Sequence, residues 1–80
     1  MHLLLQIDTT DYDGWKSQWD GDAENRSNAG MTQLQIWRGV DTPGRVFALM
    51  DVHNPDNAKA WIAKETSFGG TMTATFLKTV

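Results

Sequence analysis

The residues of this chain best suited to moving a proton are His2, His53 and the carboxylate of Asp51. His53 follows Arg45 to Val52, a nearly continuous apolar run that reads as a central strand. In an antiparallel sheet the end of that strand lies beside the start of the first strand, where His2 sits. Alternation puts Asp51 and His53 on the same side as His2. Two imidazoles and a carboxylate so placed make an acid/base pair; as metal ligands they have no tight spacing motif, so no metal is assigned. The plainer alternative is a frayed terminal His2 and an exposed turn residue at His53. The second candidate set is aromatic. Trp15, Trp19 and Trp61 point from helices toward a sheet, and Tyr12 joins them. Such a stripe either lines a flat pocket for a planar or acyl ligand, oriented by the Tyr12 hydroxyl or an indole N–H, or fills the core of a short chain. Arg26 and Arg38 suit an anionic group or ion pairs with the surplus carboxylates, and Asp20, Asp22 and Glu24 read as a solvated helix face. The chain has no Gly-rich phosphate loop, no nucleophile elbow and no cysteine, so no cofactor is expected.

These side chains need a scaffold. His2 to Ile7 reads as a strand closed by Asp8, Thr9 and Thr10. Thr10 or Asp11 caps a helix in which Tyr12, Trp15, Trp19 and Ala23 form one stripe, with Asn28 and Gly30 as its stop. Thr32 to Arg38 is a second strand, and Gly39 to Gly44 a hairpin loop leading into Arg45 to Val52. Asn54-Pro55-Asp56 starts another helix, with Ala58, Trp61, Ile62 and Glu65 at helical spacing before Phe68, Gly69 and Gly70 break it. Thr71 to Leu77 alternates as a final strand. The order predicts a βαββαβ, ferredoxin-like α+β domain: a four-stranded antiparallel sheet with strands one and three central and both helices on one face.

Eighty residues, 1–80, make a single domain whose thin stability margin calls for outside support. Without cysteine, disulfides and thiolate zinc sites are excluded, leaving association. Alternation places Leu3, Leu5, Ile7, Leu34, Ile36, Ala48, Met50, Val52, Ala74 and Phe76 under the helices. It places Leu4, Trp37, Phe47, Leu49 and Leu77 on the opposite, helix-free face among His2, Gln6, Gln33, Gln35, Asp51, Thr73 and Thr75. Burying those five apolar side chains against a second copy would contribute several kcal/mol, at ~25 cal/mol per Å². A homodimer through the open face is therefore expected. The net charge of −3 and seven scattered Lys and Arg argue against nucleic acid. No apolar run is long enough to span a bilayer, and no secretory leader is legible, so a cytoplasmic protein without membrane partners is expected.

Several stretches carry a family resemblance. They are Asp11-Tyr12-Asp13-Gly14-Trp15-Lys16, then Arg26 and Gly30, Ile36-Trp37-Arg38, Asp41-Thr42-Pro43-Gly44-Arg45-Val46, Asp51-Val52 and Ala60-Trp61. Over most of its length the chain resembles the dimeric α+β barrel proteins, which include antibiotic-biosynthesis monooxygenases and small polyketide cyclases. It departs from them at Glu65-Thr66-Ser67-Phe68-Gly69-Gly70, where many carry a Ser-Pro-Glu-Leu-like helix end. The resemblance implies two sheets closing face to face into a barrel, and often a small organic ligand between helices and sheet. It does not fix a reaction. Two functions are expected on equal terms. One is a homodimer acting on a hydrophobic or aromatic small molecule as a cofactor-independent monooxygenase, cyclase or isomerase, with Trp15, Trp19 and Trp61 shaping the pocket and Tyr12 or His53 exchanging a proton. The other is a non-enzymatic ligand-binding, structural or regulatory dimer.

Overall fold

Leu3, Leu5 and Ile7 alternate with Leu4 and Gln6. In the computed structural model, which describes residues 1–64 and 70–80, the first three are buried and the other two half-buried. This run is strand β1, His2–Asp8. Helix α1, Tyr12–Gly21, follows; the Asp11 side chain caps it by accepting from the Gly14 N–H at 3.1 Å, and Asp13 in the first turn suits the helix dipole. Helix α2, Ala23–Asn28, leads through Gly30 to strand β2, Met31–Arg38, and the hairpin returns as strand β3, Arg45–Val52. Helix α3, Pro55–Lys64, starts with proline in its first position and with Asn54 Oδ1 accepting from the Asn57 N–H at 3.1 Å. Strand β4, Thr71–Leu77, completes the chain.

The four strands form one antiparallel sheet in the order β2-β3-β1-β4, with β1 and β3 in the middle as the order of elements led one to expect. The fold is α+β, but the described residues hold three helices rather than the expected two. The stretch from Tyr12 to Asn28 breaks at Asp22. The cause is local. The Trp19 carbonyl accepts from the Asp22 N–H at 3.2 Å and from the Arg26 guanidinium at 2.6 Å, so a side chain stands in the helical ladder.

A second difference concerns β2. A bulge between Gln33 and Gln35 shifts the register against β3, so that Gln33 pairs with Met50 on the helix side and Gln35 with Leu49 on the open side. Gln33 and Leu34 were expected on the opposite faces. Instead Gln33 turns inward to a tryptophan, and Leu34 is 49% exposed.

The core lies between the sheet and the helices. Leu3, Leu5, Ile7, Val46, Ala48 and Met50 from the central strands meet Trp15, Trp19, Ala58 and Trp61 from above. Gly30 makes the turn into β2 with φ of 76°, a left-handed conformation suited to glycine, and its carbonyl accepts from the His53 N–H at 2.8 Å. Gly44 lets the hairpin approach the end of β1: a Cβ there would fall on the Thr9 carbonyl oxygen. The expected helical position of Glu65 and the breakers Phe68 and Gly69 lie outside the described residues. Among the described residues no helix is long and apolar enough to cross a membrane.

Candidate functional site

The inward stripe of the first helical stretch runs Tyr12, Trp15, Trp19, Asp22, Arg26, at spacings of three, four, three and four. Its aromatic half is packed solid. Trp15 and Trp19 are each 1% exposed and stack with ring centroids 5.3 Å apart. Trp61 meets Trp19 edge-on at 6.2 Å, and Tyr12 is tilted against Trp15 at 6.1 Å. The Trp19 indole N–H donates to Gln33 Oε1 at 2.9 Å, which is what the bulge in β2 makes possible. The Trp15 indole N–H is buried and has no hydrogen-bond partner among the described residues.

Asp22 was expected on a solvated helix face, and it is buried, as is Arg26. Asp22 is 7% exposed and Arg26 5%. Asp22 accepts from the Trp61 indole N–H at 2.9 Å and from Asn25 Nδ2 at 2.6 Å, one bond on each carboxylate oxygen. The Arg26 guanidinium lies 3.9 Å over the Trp19 ring and donates to the Trp19 carbonyl. Burial pulls the Arg26 pKa down, while Asp22 and, behind it, Asp20 push it back up. Arg26 thus stays a cation, held by a π face, a carbonyl and a nearby carboxylate. Asp20 and Glu24 are exposed as expected, Asp20 in a helix-surface pair with Lys16 at 2.7 Å.

The proton-transfer candidates divide between two ends of the sheet. His53 Nε2 lies 3.6 Å from Asp51 Oδ2, and Asp51 is the register partner of His2, so one end gathers both histidines and a carboxylate. His53 is exposed, and among the described residues no three His, Asp or Glu groups converge enough to hold a metal ion. Tyr12 sits past the other end of β1, roughly 20 Å away at ~3.3 Å per residue along the strand. There the Arg38 guanidinium stacks 3.8 Å from the Tyr12 ring centroid and donates to the Pro43 carbonyl at 2.6 Å. Asp51 lies on the open face and the three tryptophans under the covered one, so the histidine end and the aromatic stripe are separated by the sheet.

That open face is built in rows across the strands. The two middle rows are Gln35–Leu49–Leu4–Thr75 and Trp37–Phe47–Gln6–Thr73, and neither contains a charge. One flanking row is Thr32–Asp51–His2–Leu77. At the other end Asp8 pairs with Arg45, whose Nε donates at 2.8 Å and holds the Asp8 carboxyl below its ordinary pKa. Trp37 is 46% and Leu77 39% exposed. The pattern is an apolar and amide centre between two polar ends.

In the helix layer, an open groove of about 250 Å³ runs between α2 and α3, with Asn25 and Asn28 on one wall and Asn57, Trp61 and Lys64 on the other. Comparison with protein-family models, with curated proteins and with solved structures finds no match to this chain.

Proposed function

We propose that this chain works as a homodimer, two open sheet faces closing on each other in the manner of the dimeric α+β barrel proteins, with each copy a ferredoxin-like α+β unit whose first helix is broken in two. The observation that carries this reading is the anatomy of the open face. Charge-free rows centred on Leu4, Phe47 and Leu49 are flanked by the Asp8–Arg45 pair and by the His2–Asp51–His53 end. An apolar centre with a polar rim is how stable interfaces are built. Four strands of seven or eight residues, ~4.8 Å apart and rising ~3.3 Å per residue, make a flat area of roughly 450–500 Å² before side-chain relief is counted, against the ~800 Å² per partner of a standard interface. A second copy is the occupant that such a face suits: its charges are paired or confined to the ends, so two copies can meet without stacking like charges at the centre.

A structural, regulatory or ligand-binding dimer is preferred over a catalytic one. A pocket formed by Trp15, Trp19 and Trp61 would need space where these rings are packed against each other and the sheet. Tyr12 and His53 stand at opposite ends of the fold, and His53 is across the sheet from the aromatic stripe. Within the aromatic stripe, Trp15 favours a bound small molecule, since among the described residues its buried N–H lacks an acceptor. The dimer is tested by Leu49→Glu, which puts a carboxylate in the middle of the face. Sedimentation of this variant is expected to give a monomer with a far-UV spectrum like that of the parent. A Leu49→Glu variant that sediments like the parent would remove the open face as the interface.

A further inference from the structure

The groove between α2 and α3 has a chemical character unlike the rest of the surface. The chain is acidic overall, with ten Asp and Glu against seven Lys and Arg, yet among the described residues no carboxylate lines this groove. Its polar groups are three carboxamides, Asn25, Asn28 and Asn57, and the ammonium of Lys64. Among the described residues, the side chains of Asn28, Asn57 and Lys64 have no hydrogen-bond partner. Trp61 and two alanines provide the apolar part.

Both walls are tied to one buried anchor. Asn25 Nδ2 and the Trp61 indole N–H each donate to Asp22, at 2.6 and 2.9 Å, one to each oxygen. Burying a carboxylate is costly unless its hydrogen bonds are satisfied, and here the two donors come from the two sides of the groove. Asp22 therefore fixes the spacing of the walls, and the bond it receives from Asn25 leaves that amide's carbonyl oxygen available. Asn25 and Trp61 are thus held in place before a ligand arrives, while the unpartnered Asn28, Asn57 and Lys64 side chains are left to turn toward it.

From this arrangement we infer that the α2–α3 groove binds a small polyhydroxylated carboxylate, of the size and chemistry of a sugar acid. Each requirement has a group to meet it. Carboxamides donate and accept, which matches hydroxyl groups that do both. The Lys64 ammonium pairs with the carboxylate. The methyls of Ala29 and Ala60, beside the small exposed edge of the otherwise buried Trp61, take the C–H side of the ligand. About 250 Å³ is smaller than the ~300–1,000 Å³ of pockets for drug-sized ligands, so a single sugar ring is the fitting length. The groove is in the helix layer, away from the open sheet face, so the inference stands whether or not the chain dimerises.

The test is a titration of the ¹⁵N-labelled full chain with D-glucuronate, followed through the asparagine side-chain NH2 signals, with D-glucose and inorganic phosphate as comparison probes. Saturable shifts confined to Asn25, Asn28, Asn57 and neighbouring α2 and α3 amides are expected. Glucose should bind at least about 5-fold more weakly, and phosphate should leave the asparagine signals in place. Asn28→Ala and Asn57→Ala, both at exposed positions, should each weaken glucuronate binding about 5-fold or more. Lys64→Gln should erase the preference of glucuronate over glucose while leaving glucose binding unchanged. The inference is overturned by absence of saturable shifts with glucuronate, by equal shifts with phosphate, or by unchanged binding in the two asparagine variants.

Discussion

Replacing Asp22 with alanine would strip two donors of their acceptor at once. Trp61 Nε1 and Asn25 Nδ2 both lose the carboxylate, and Arg26 stays in the core with only the exposed Asp20 left to offset its burial. Leaving a buried donor without its acceptor costs about 1–3 kcal/mol. With two donors stripped and Arg26 losing the larger of its two carboxylate contributions, a loss of about 3 kcal/mol or more is expected. A domain of 80 residues has roughly 4–12 kcal/mol in all, at ~0.05–0.15 kcal/mol per residue. With a urea slope near ~1 kcal/mol/M, suited to a small chain, the unfolding midpoint should fall by about 3 M or more. Arg26→Met should cost less, because Asp22 keeps both of its hydrogen bonds and the methionine still packs on Trp19. The double variant Asp22→Ala/Arg26→Met no longer holds an unpaired buried cation. It should be more stable than the two single losses added together suggest, by about 1–3 kcal/mol. Urea melts of the four proteins at one protein concentration measure this, with concentration held fixed because association feeds into apparent stability. Strict additivity, or an Asp22→Ala loss below ~1 kcal/mol, would refute the idea that the charges act as a unit.

Three further outcomes follow from local geometry. Gly30→Ala forces a Cβ onto a residue with φ of 76°, 3.3 Å from the Asn54 backbone nitrogen, and should cost about 1–3 kcal/mol in a denaturant melt. Asn54→Ala removes the acceptor for the Asn57 N–H and should cost about 1 kcal/mol, or roughly 4–8 °C in thermal midpoint for a domain of this size. The Asp8 carboxyl is depressed in the folded state, chiefly by the hydrogen bond from Arg45. Its stabilising contribution is thus present above the unfolded-state pKa and lost as pH falls through the folded one, and Asp8→Asn should flatten the acid limb of a stability–pH profile.

Strand positions were legible because the central strands alternate without ambiguity: Leu3, Leu5 and Ile7 against Leu4 and Gln6, and Val46, Ala48 and Met50 against Phe47 and Leu49. The bulge in β2 was not, because Gln33-Leu34-Gln35 alternates equally well in either register. Only the Trp19 indole, which needs an acceptor, decides between them. Asp22 was read as part of a solvated face, and Arg26 as the partner of an anionic group or of surplus carboxylates, because charge type outweighed spacing. Yet Tyr12, Trp15, Trp19, Asp22 and Arg26 keep a three-four-three-four rhythm, and charged residues in step with an aromatic stripe are a sign that they are buried with it. The α2–α3 groove had no sequence signal, since Asn25 and Asn57 come together only through packing of helices far apart in the chain. Proximity of His2, Asp51 and His53 was legible from antiparallel pairing alone, and their separation from the tryptophans follows from the same alternation.

Self-association through the open face is the claim on which the functional reading turns, and the mass of the unmodified chain in solution addresses it most directly. Light scattering on a column-separated sample at micromolar concentration should return twice the 9.0 kDa chain mass. A stable particle of 9.0 kDa at that concentration would contradict the account and leave Leu4, Phe47 and Leu49 facing water with no partner.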